Sequence, residues 1–506
     1  MDALKNMQAD TWMKVNGAAM PLKAPVVPVT VAKGDGVGPE IMDAVLFLLQ
    51  EAGARLELEP ISVGESVYRQ GITSGITPEA WASLRRTGIF LKAPITTPQG
   101  GGYKSLNVTI RKTLGLFANV RPCRTYHPFV EAPNPGIDLV IVRENEEDTY
   151  AGIEHRQTAE VTQCLKLISA PGTAKILKYA FEYARANGRK KVTCLTKDNI
   201  MKITDGLFHR MFDAMAKDYP EIETEHRIID IGAALIARRP DRFDVVVCPN
   251  LYGDIVSDIA AEQAGSVGLA GSMNIGEHCA MFEAVHGSAP DIAGQDKANP
   301  SGLLQAAILM LQHIGQGQPA ALLQNAWLKT LEDGVLTADM QPRIGGGEPV
   351  GTKAFARAVA TRLGQQPDAL RPAAPAKHAM PATWNLSTAP KPVKRLAGVD
   401  VFLDWDEHQR HPGILGARVE AAAKGTAFGL KMITNRGVKV YPEGHRETFC
   451  TDHWRCRFTP GAGGTVTHRD ITALLNELAA AGFDFVKTEH LYTFDGDPGY
   501  SLGQGE

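Results

Sequence analysis

The strongest constraint on the fold is a unit that recurs along the chain: a β-branched run, a turn of polar or glycine residues, then a helix with an apolar stripe. "APVVPVTVAKGDGVGPEIMDAVLFLLQEAGA" is the first, with Pro39 suited to the opening turn of its helix. "GRKKVTCLTKDNIMKITDGLFHRMFDAMAKDYP" and "RFDVVVCPNLYGDIVSDIAAEQAG" repeat it, each placing polar side chains just after a strand. Alternating strands and helices predict an α/β fold with mixed sheets and a site at strand ends. The 506 residues exceed what one hydrophobic core organises, so at least two compact units are expected.

The balance of 53 basic and 56 acidic side chains, a net charge of −3, provides no electrostatic footprint for a nucleic acid. Seven scattered cysteines argue against a disulfide framework and for a reducing, cytoplasmic compartment. No apolar run is long enough for a signal sequence or a membrane span. Residues 365–395, "QQPDALRPAAPAKHAMPATWNLSTAPKPVKR", read as a proline- and alanine-rich linker. Beyond it, residues 396–506 alternate as strand, helix, strands, helix, strand, which predicts a small α+β unit.

The stretch "KAPITTPQGGGYKSLNVTIRKTLGLFANVRP" and the later "DLVIVRENEEDTYAGIE" carry Arg111, Arg121 and Arg143, each after an apolar segment. Three planar forks suit a small tricarboxylate, although single arginines also occupy solvated faces. Ser105 and Asn107, two apart, can hold a further carboxylate or open a helix. Asp254 and Asp258 stand i, i+4 on one helix face, an oxygen pair for Mg²⁺ or Mn²⁺, or else a complement to the helix dipole. Asp230 is a weaker metal candidate.

Lys197, at a strand end, can serve as a base when desolvated, and Tyr150 is unremarkable alone. "GDGVGPE" is spaced differently from the dinucleotide fingerprint and does not predict a Rossmann unit. The loop "FEAVHGSAPDIAGQDKANPSG" offers His286, Asp291 and Asn299 to an adenosine ribose. Cys450, His453 and Cys456 lack zinc-site spacing, and His408 and His411 read as surface residues.

Together these segments resemble the isocitrate and isopropylmalate dehydrogenase family of metal-dependent decarboxylating 2-hydroxyacid dehydrogenases. "GDGVGPE", "TTPQGGGYKSLNVTIRK", "RENEEDTYAGIE", "TKDNIMKITDG", "NLYGDIVSDIAA" and "EAVHGSAPDIAGQDKANP" occur in family order between Val26 and Leu363. The resemblance implies a non-Rossmann, two-domain isopropylmalate dehydrogenase-like α/β fold. Its large domain would comprise residues 26–116 and 265–364, and its small domain 117–264 with a clasp near 148–175, after an N-terminal extension at 1–25. The tail, with "FGLKMITNRG", "HWRCRF" and "FDGDPGY", resembles the C-terminal extension of a longer class of bacterial isocitrate dehydrogenases, where a subunit contact and a regulatory ligand site are rival roles.

The polar Ser-Leu-Asn segment points to isocitrate, since isopropylmalate enzymes place an acid and aliphatic residues there. The resemblance further implies that Arg111, Arg121 and Arg143 hold the α- and β-carboxylates, while Ser105 and Asn107 meet the γ-carboxylate. Asp254 and Asp258 would bind the metal with Asp230 from a second subunit of a homodimer. Lys197, crossing the same interface, would assist removal of the C2 hydroxyl proton, and Tyr150 would protonate C3.

The cofactor would contact Thr96, His286, Gly287, Asp291, Ile292 and Asn299. The best-known bacterial NADP enzymes carry Lys-Tyr where this chain has Asp291-Ile292, and a phosphate-clamping tyrosine and arginine where it has Ala338 and Pro342. An aspartate repels a 2′-phosphate, so NAD is the expected cofactor, with Arg343, one place off, the residue able to permit NADP. Homoisocitrate as substrate and a non-catalytic regulatory subunit remain alternatives. By family analogy, phosphorylation of Ser105 would repel the substrate.

Overall fold

The computed structural model describes residues 25–96, 105–341, 347–375, 391–461 and 464–503, and the backbone alone of 12–15 and 18–21. Arg343 and Pro342 therefore lie outside the described residues. The chain forms two compact units, Met1–Tyr150 with Leu167–Leu386, and Ala151–Lys166 with Ser387–Glu506.

One mixed ten-stranded sheet runs through the first unit. Its order is Glu223–Ile228, Lys191–Thr196, Val245–Cys248, Asp138–Glu144, Ala118–Arg124, Gly271–Ile275, Ala280–Ala284, Ile89–Lys92, Val27–Ala32 and Leu56–Ile61. The first four strands are mutually parallel, as are the last four, and antiparallel pairings join the two blocks.

The central strands Asp138–Glu144 and Val245–Cys248 are apolar on both faces because helices cover both. Val140 and Val142 pack in one core with the helices Gly38–Glu51, Ala170–Ala186, Ser301–His313 and Gly317–Glu332. The alternate residues Leu139 and Ile141 pack on the opposite face with Asn250–Ala264 and Ile229–Arg238. No helix among the described residues is long and apolar enough to cross a membrane, and all seven cysteines are free.

Two glycines of "GDGVGPE" explain its spacing. Gly34 and Gly36 have φ of 62° and 59°, and a Cβ on them would stand 2.1 Å from the Pro94 carbonyl oxygen and 1.9 Å from that of Ser288. The loop is thus built for close approach to two neighbouring loops, held by Asp35 N–H to Pro94 O and Val37 N–H to Ser288 O, both 2.8 Å.

The second unit is a six-stranded antiparallel sheet in the order Val438–Tyr441, Phe428–Asn435, His453–Pro460, Lys394–Asp404, Asp484–Phe494 and Asp497–Pro498. Helices Pro412–Ala423 and His468–Ala480 pack on it through Leu415, Val419, Leu474 and Leu478. The strand pair Glu154–Arg156 and Thr162–Cys164 groups with this unit, tied by Thr158 Oγ1 donating to Asp452 Oδ1 at 2.6 Å and by the Arg410–Glu160 ion pair at 2.8 Å. The resemblance assigned those residues to a clasp, and the sequence offers no sign that they group with the tail.

Candidate functional site

Arg143 is the penultimate residue of the buried strand Asp138–Glu144, and the helix Asn250–Ala264 begins beside it. Asp148, fully buried, accepts the Leu251 N–H at 2.8 Å and so caps that helix. Asn250 Oδ1 accepts from Arg143 Nε at 2.9 Å. Gly253 leaves the space the arginine occupies, so the guanidinium reaches Asp254 Oδ1. The Arg143 guanidinium also lies 4.8 Å from the centre of the Tyr150 ring, and the Tyr150 hydroxyl donates to Asp254 Oδ2 at 2.6 Å.

Arg121 approaches from the neighbouring antiparallel strand. Its Nη1 donates to Ser257 Oγ at 2.7 Å and Asp258 Oδ1 at 3.1 Å, and its Nη2 lies 3.4 Å from Asp254 Oδ1. Two arginines, two aspartates and a tyrosine thus share one patch. Arg143 and Arg121 overcome burial to hold Asp254 below the ordinary carboxylate range. Asp258 goes the other way: lost hydration raises it, Arg121 opposes, and the charge of Asp254 raises it further. Burial and the bond to Asp254 raise the Tyr150 pKa and keep its hydroxyl protonated.

Behind the patch runs a buried polar chain that sequence reasoning missed. Arg121 Nε donates to Asn119 Oδ1 at 2.8 Å, Asn119 Nδ2 to Asn274 Oδ1 at 2.9 Å, and Asn274 Nδ2 to Glu283 Oε1 at 2.9 Å. Glu283 is ion-paired at 2.7 Å with both Lys92 and Arg111. Despite burial, those two cations hold the Glu283 carboxyl far below its ordinary range. Arg111 is therefore anchored through Glu283, which the polar chain joins to Arg121.

Ser105 precedes the helix Leu106–Thr113, so it and Asn107 stand at a helix start, although the Ser105 side chain makes no capping hydrogen bond there. Asn107 Oδ1 is buried with no hydrogen-bond partner among the described residues.

Lys197 and Asp230 do not join Asp254 and Asp258. Lys197 Nζ bonds Asp230 Oδ1 at 3.0 Å, and among the described residues of one chain the three aspartates form no close carboxylate cluster.

The loop read as an adenosine site is tied on both sides. Thr96 donates its N–H to Asp35 Oδ2 and its hydroxyl to Ser288 Oγ, both at 2.9 Å. His286 Nδ1 lies 3.0 Å from the Gly287 carbonyl, and burial lowers its pKa, which keeps the ring neutral. Asn299 Nδ2 donates to Asp339 Oδ2 at 2.9 Å while its Oδ1 accepts the Ser301 N–H at 2.9 Å, which brings Asp339, next to Ala338, against the loop. Ile292 packs toward the main core, whereas Asp291 is exposed.

The family described as isocitrate/isopropylmalate dehydrogenase matches residues 28–359, and the C-terminal domain of bacterial isocitrate dehydrogenase matches 394–506. "Isocitrate dehydrogenase [NADP]" of Rickettsia bellii is 55% identical over 487 residues, 96% of this chain and 100% of that protein. The protein of the same name from Thermus thermophilus is 44% identical over 94% of this chain and 96% of its own length. A crystal structure of a Thermus thermophilus protein superposes with a TM-score of 0.89 at 44% identity, covering 95% of this chain and 96% of its own.

These names overturn the expectation of NAD. The expectation gave one aspartate a decisive weight that its position does not support. Asp291 is exposed in the turn Pro290–Ile292, where water reduces the interaction of unit charges 4 Å apart to about 1 kcal/mol and salt reduces it further. One charge-assisted hydrogen bond to a phosphate, about 1.5–3 kcal/mol, outweighs that repulsion. Matched by the family over its catalytic region and by its relatives over nearly its whole length, the chain belongs to the isocitrate/isopropylmalate dehydrogenase family.

Proposed function

We propose that the protein oxidatively decarboxylates isocitrate to 2-oxoglutarate and CO₂, with NADP as hydride acceptor. The observation that carries this reading is the convergence of Arg121, Arg143, Tyr150, Asp254 and Asp258 on one patch, with Arg111 joined to it through the buried polar chain. The names of the relatives support the choice of isocitrate and of NADP. Lys297, in the same loop as Asp291, would offer a cation to the 2′-phosphate: its Nζ donates to Gln295 Oε1 at 3.0 Å, and Gln295 Nε2 to the Asp291 carbonyl at 2.7 Å.

Asp254 and Asp258 fit a hard divalent cation: both offer only oxygen, and the two carboxylates stand one helical turn apart with Arg121 bonded to both. They would hold Mg²⁺ or Mn²⁺ together with Asp230 of a second subunit. Bound there, the ion would supply positive charge at the C2 oxygen during oxidation and decarboxylation.

The arginines now paired with the aspartates would transfer their forks to the substrate carboxylates as it enters, fixing C2 toward the cofactor. Tyr150, held protonated, would deliver its proton to C3 once CO₂ has left. Lys197, oriented by Asp230, would reach from the second subunit to accept the C2 hydroxyl proton. NADPH formation measured on isocitrate and on homoisocitrate, with CO₂ counted against NADPH, tests the reading. One CO₂ per NADPH on isocitrate is the expected result, and faster turnover of homoisocitrate, or none of either, would overturn it.

A further inference from the structure

Two histidines meet at the end of the strand Lys191–Thr196, away from the carboxylate pair. His209 comes from the helix Thr204–Ala216, and His226 from the strand Glu223–Ile228, opposite Cys194 in the register. Their rings stack with centroids 3.5 Å apart and planes 17° from parallel. Asp198, just past the strand end, places Oδ2 2.7 Å from His209 Nδ1 and Oδ1 3.9 Å from His226 Nε2. One donor atom from each residue lies within 4.8 Å of the other two, the only such group of three histidine, cysteine or acidic side chains among the described residues.

We propose that Asp198, His209 and His226 bind a divalent transition metal of the Zn²⁺ class, at a site separate from Asp254 and Asp258. Two imidazoles and one carboxylate suit Zn²⁺, Co²⁺ or Ni²⁺, whereas Mg²⁺ prefers oxygen alone. Bonds of about 2.0–2.2 Å in tetrahedral geometry separate ligand atoms by roughly 3.3–3.6 Å. The separations, 2.7 Å to one Asp198 oxygen and 3.9 Å to the other, stand on either side of that range, so the carboxylate and the rings would rotate to close the site around an ion. Three protein ligands leave one position open for water or a small ligand.

The surroundings favour the same reading. Asp213 Oδ2 lies 3.5 Å from His209 Nε2, a carboxylate on the far side of a ligating ring that orients it and raises its basicity, while the 2.8 Å contact of Thr196 Oγ1 with His226 Nε2 would give way to the ion. The ligands come from a loop, a helix and an edge strand, so occupancy would tie three elements together and raise the stability of this corner. Lys197 lies between Thr196 and Asp198, so an ion here would also restrain the backbone that carries it.

The test uses the whole chain, stripped with EDTA, desalted, and kept in saturating Mg²⁺ so that the Asp254–Asp258 pair is filled. Co²⁺ titration should give one equivalent of visible d–d absorption characteristic of nitrogen ligands, which Zn²⁺ displaces. D198N, H209A and H226Q should each weaken binding by about tenfold or more, while D254N retains the spectrum. Melting temperatures of the same variants establish folding. Should H226Q fold poorly, H209A decides, because that side chain is 25% exposed and its loss is tolerable. The absence of a spectrum in the unaltered chain, or a spectrum that persists in H209A, would overturn the assignment and leave a hydrogen-bonded corner without an ion.

Discussion

Arg143 lies directly over Gly253: a Cβ at that glycine would stand 2.5 Å from Arg143 Cγ and 2.6 Å from its Cβ. The glycine of "NLYGD" is therefore the space in which the arginine crosses the helix to reach Asp254. Gly253→Ala must push the guanidinium aside while favouring the helix itself. It should lower kcat/KM for isocitrate by about tenfold or more, mainly by raising KM, with a melting temperature that falls only slightly. Unchanged kinetics would show that the position of Arg143 does not matter to the substrate.

Tyr150 donates to Asp254 and is held protonated by burial and by that bond. Tyr150→Phe keeps the ring under Arg143 and removes only the proton donor. A loss of about 10²- to 10⁴-fold in kcat with little change in KM is expected from the lost proton transfer. Pre-steady-state kinetics, with 2-oxoglutarate measured separately from NADPH, should show a burst of about one NADPH per site ahead of 2-oxoglutarate.

Lys197 and Asp230 pair with each other and stand apart from Asp254 and Asp258. If two copies build each site, K197M and D254N should each be inactive alone and regain activity when mixed. Random reassortment yields heterodimers with one intact site of two, so about a quarter of normal activity should return. Mixing that restores nothing would argue for sites contained within one chain.

Glu283 sits buried between Lys92 and Arg111. Its folded pKa is depressed below the ordinary 4.5. The stability it contributes is therefore fully present above that unfolded value and is lost as pH falls through the folded one. Glu283→Gln leaves buried cations uncompensated and should cost about 3–5 kcal/mol at neutral pH. Denaturant unfolding should show the gap between variant and unaltered chain narrowing as pH drops below 4.5, and a gap constant with pH would contradict the ion-pair account.

What the sequence made legible follows from locality. The strand ends could be read because four- to seven-residue apolar runs are followed at once by Arg143, Lys197 or the "NLYGD" turn. Asp254 and Asp258 declared themselves by helical spacing. The chain Asn119, Asn274, Glu283 and Lys92 did not, because each residue lies in a strand with no motif around it and its partner lies far along the sequence. The one available hint was a glutamate inside "AMFEA", a run otherwise fit for full burial. Asp198, His209 and His226 were hidden for the same reason, since they come from three elements with no motif spacing. The cofactor reading failed differently: an exposed charge was weighed as though it were buried.

The most direct measurement is kcat/KM of the purified chain for NADP and for NAD with isocitrate and Mg²⁺, repeated after EDTA. The account predicts a clear preference for NADP and loss of activity on chelation, restored by Mg²⁺ or Mn²⁺. Turnover that survives complete removal of divalent ions, or a chain that binds isocitrate but reduces neither nucleotide, would contradict it.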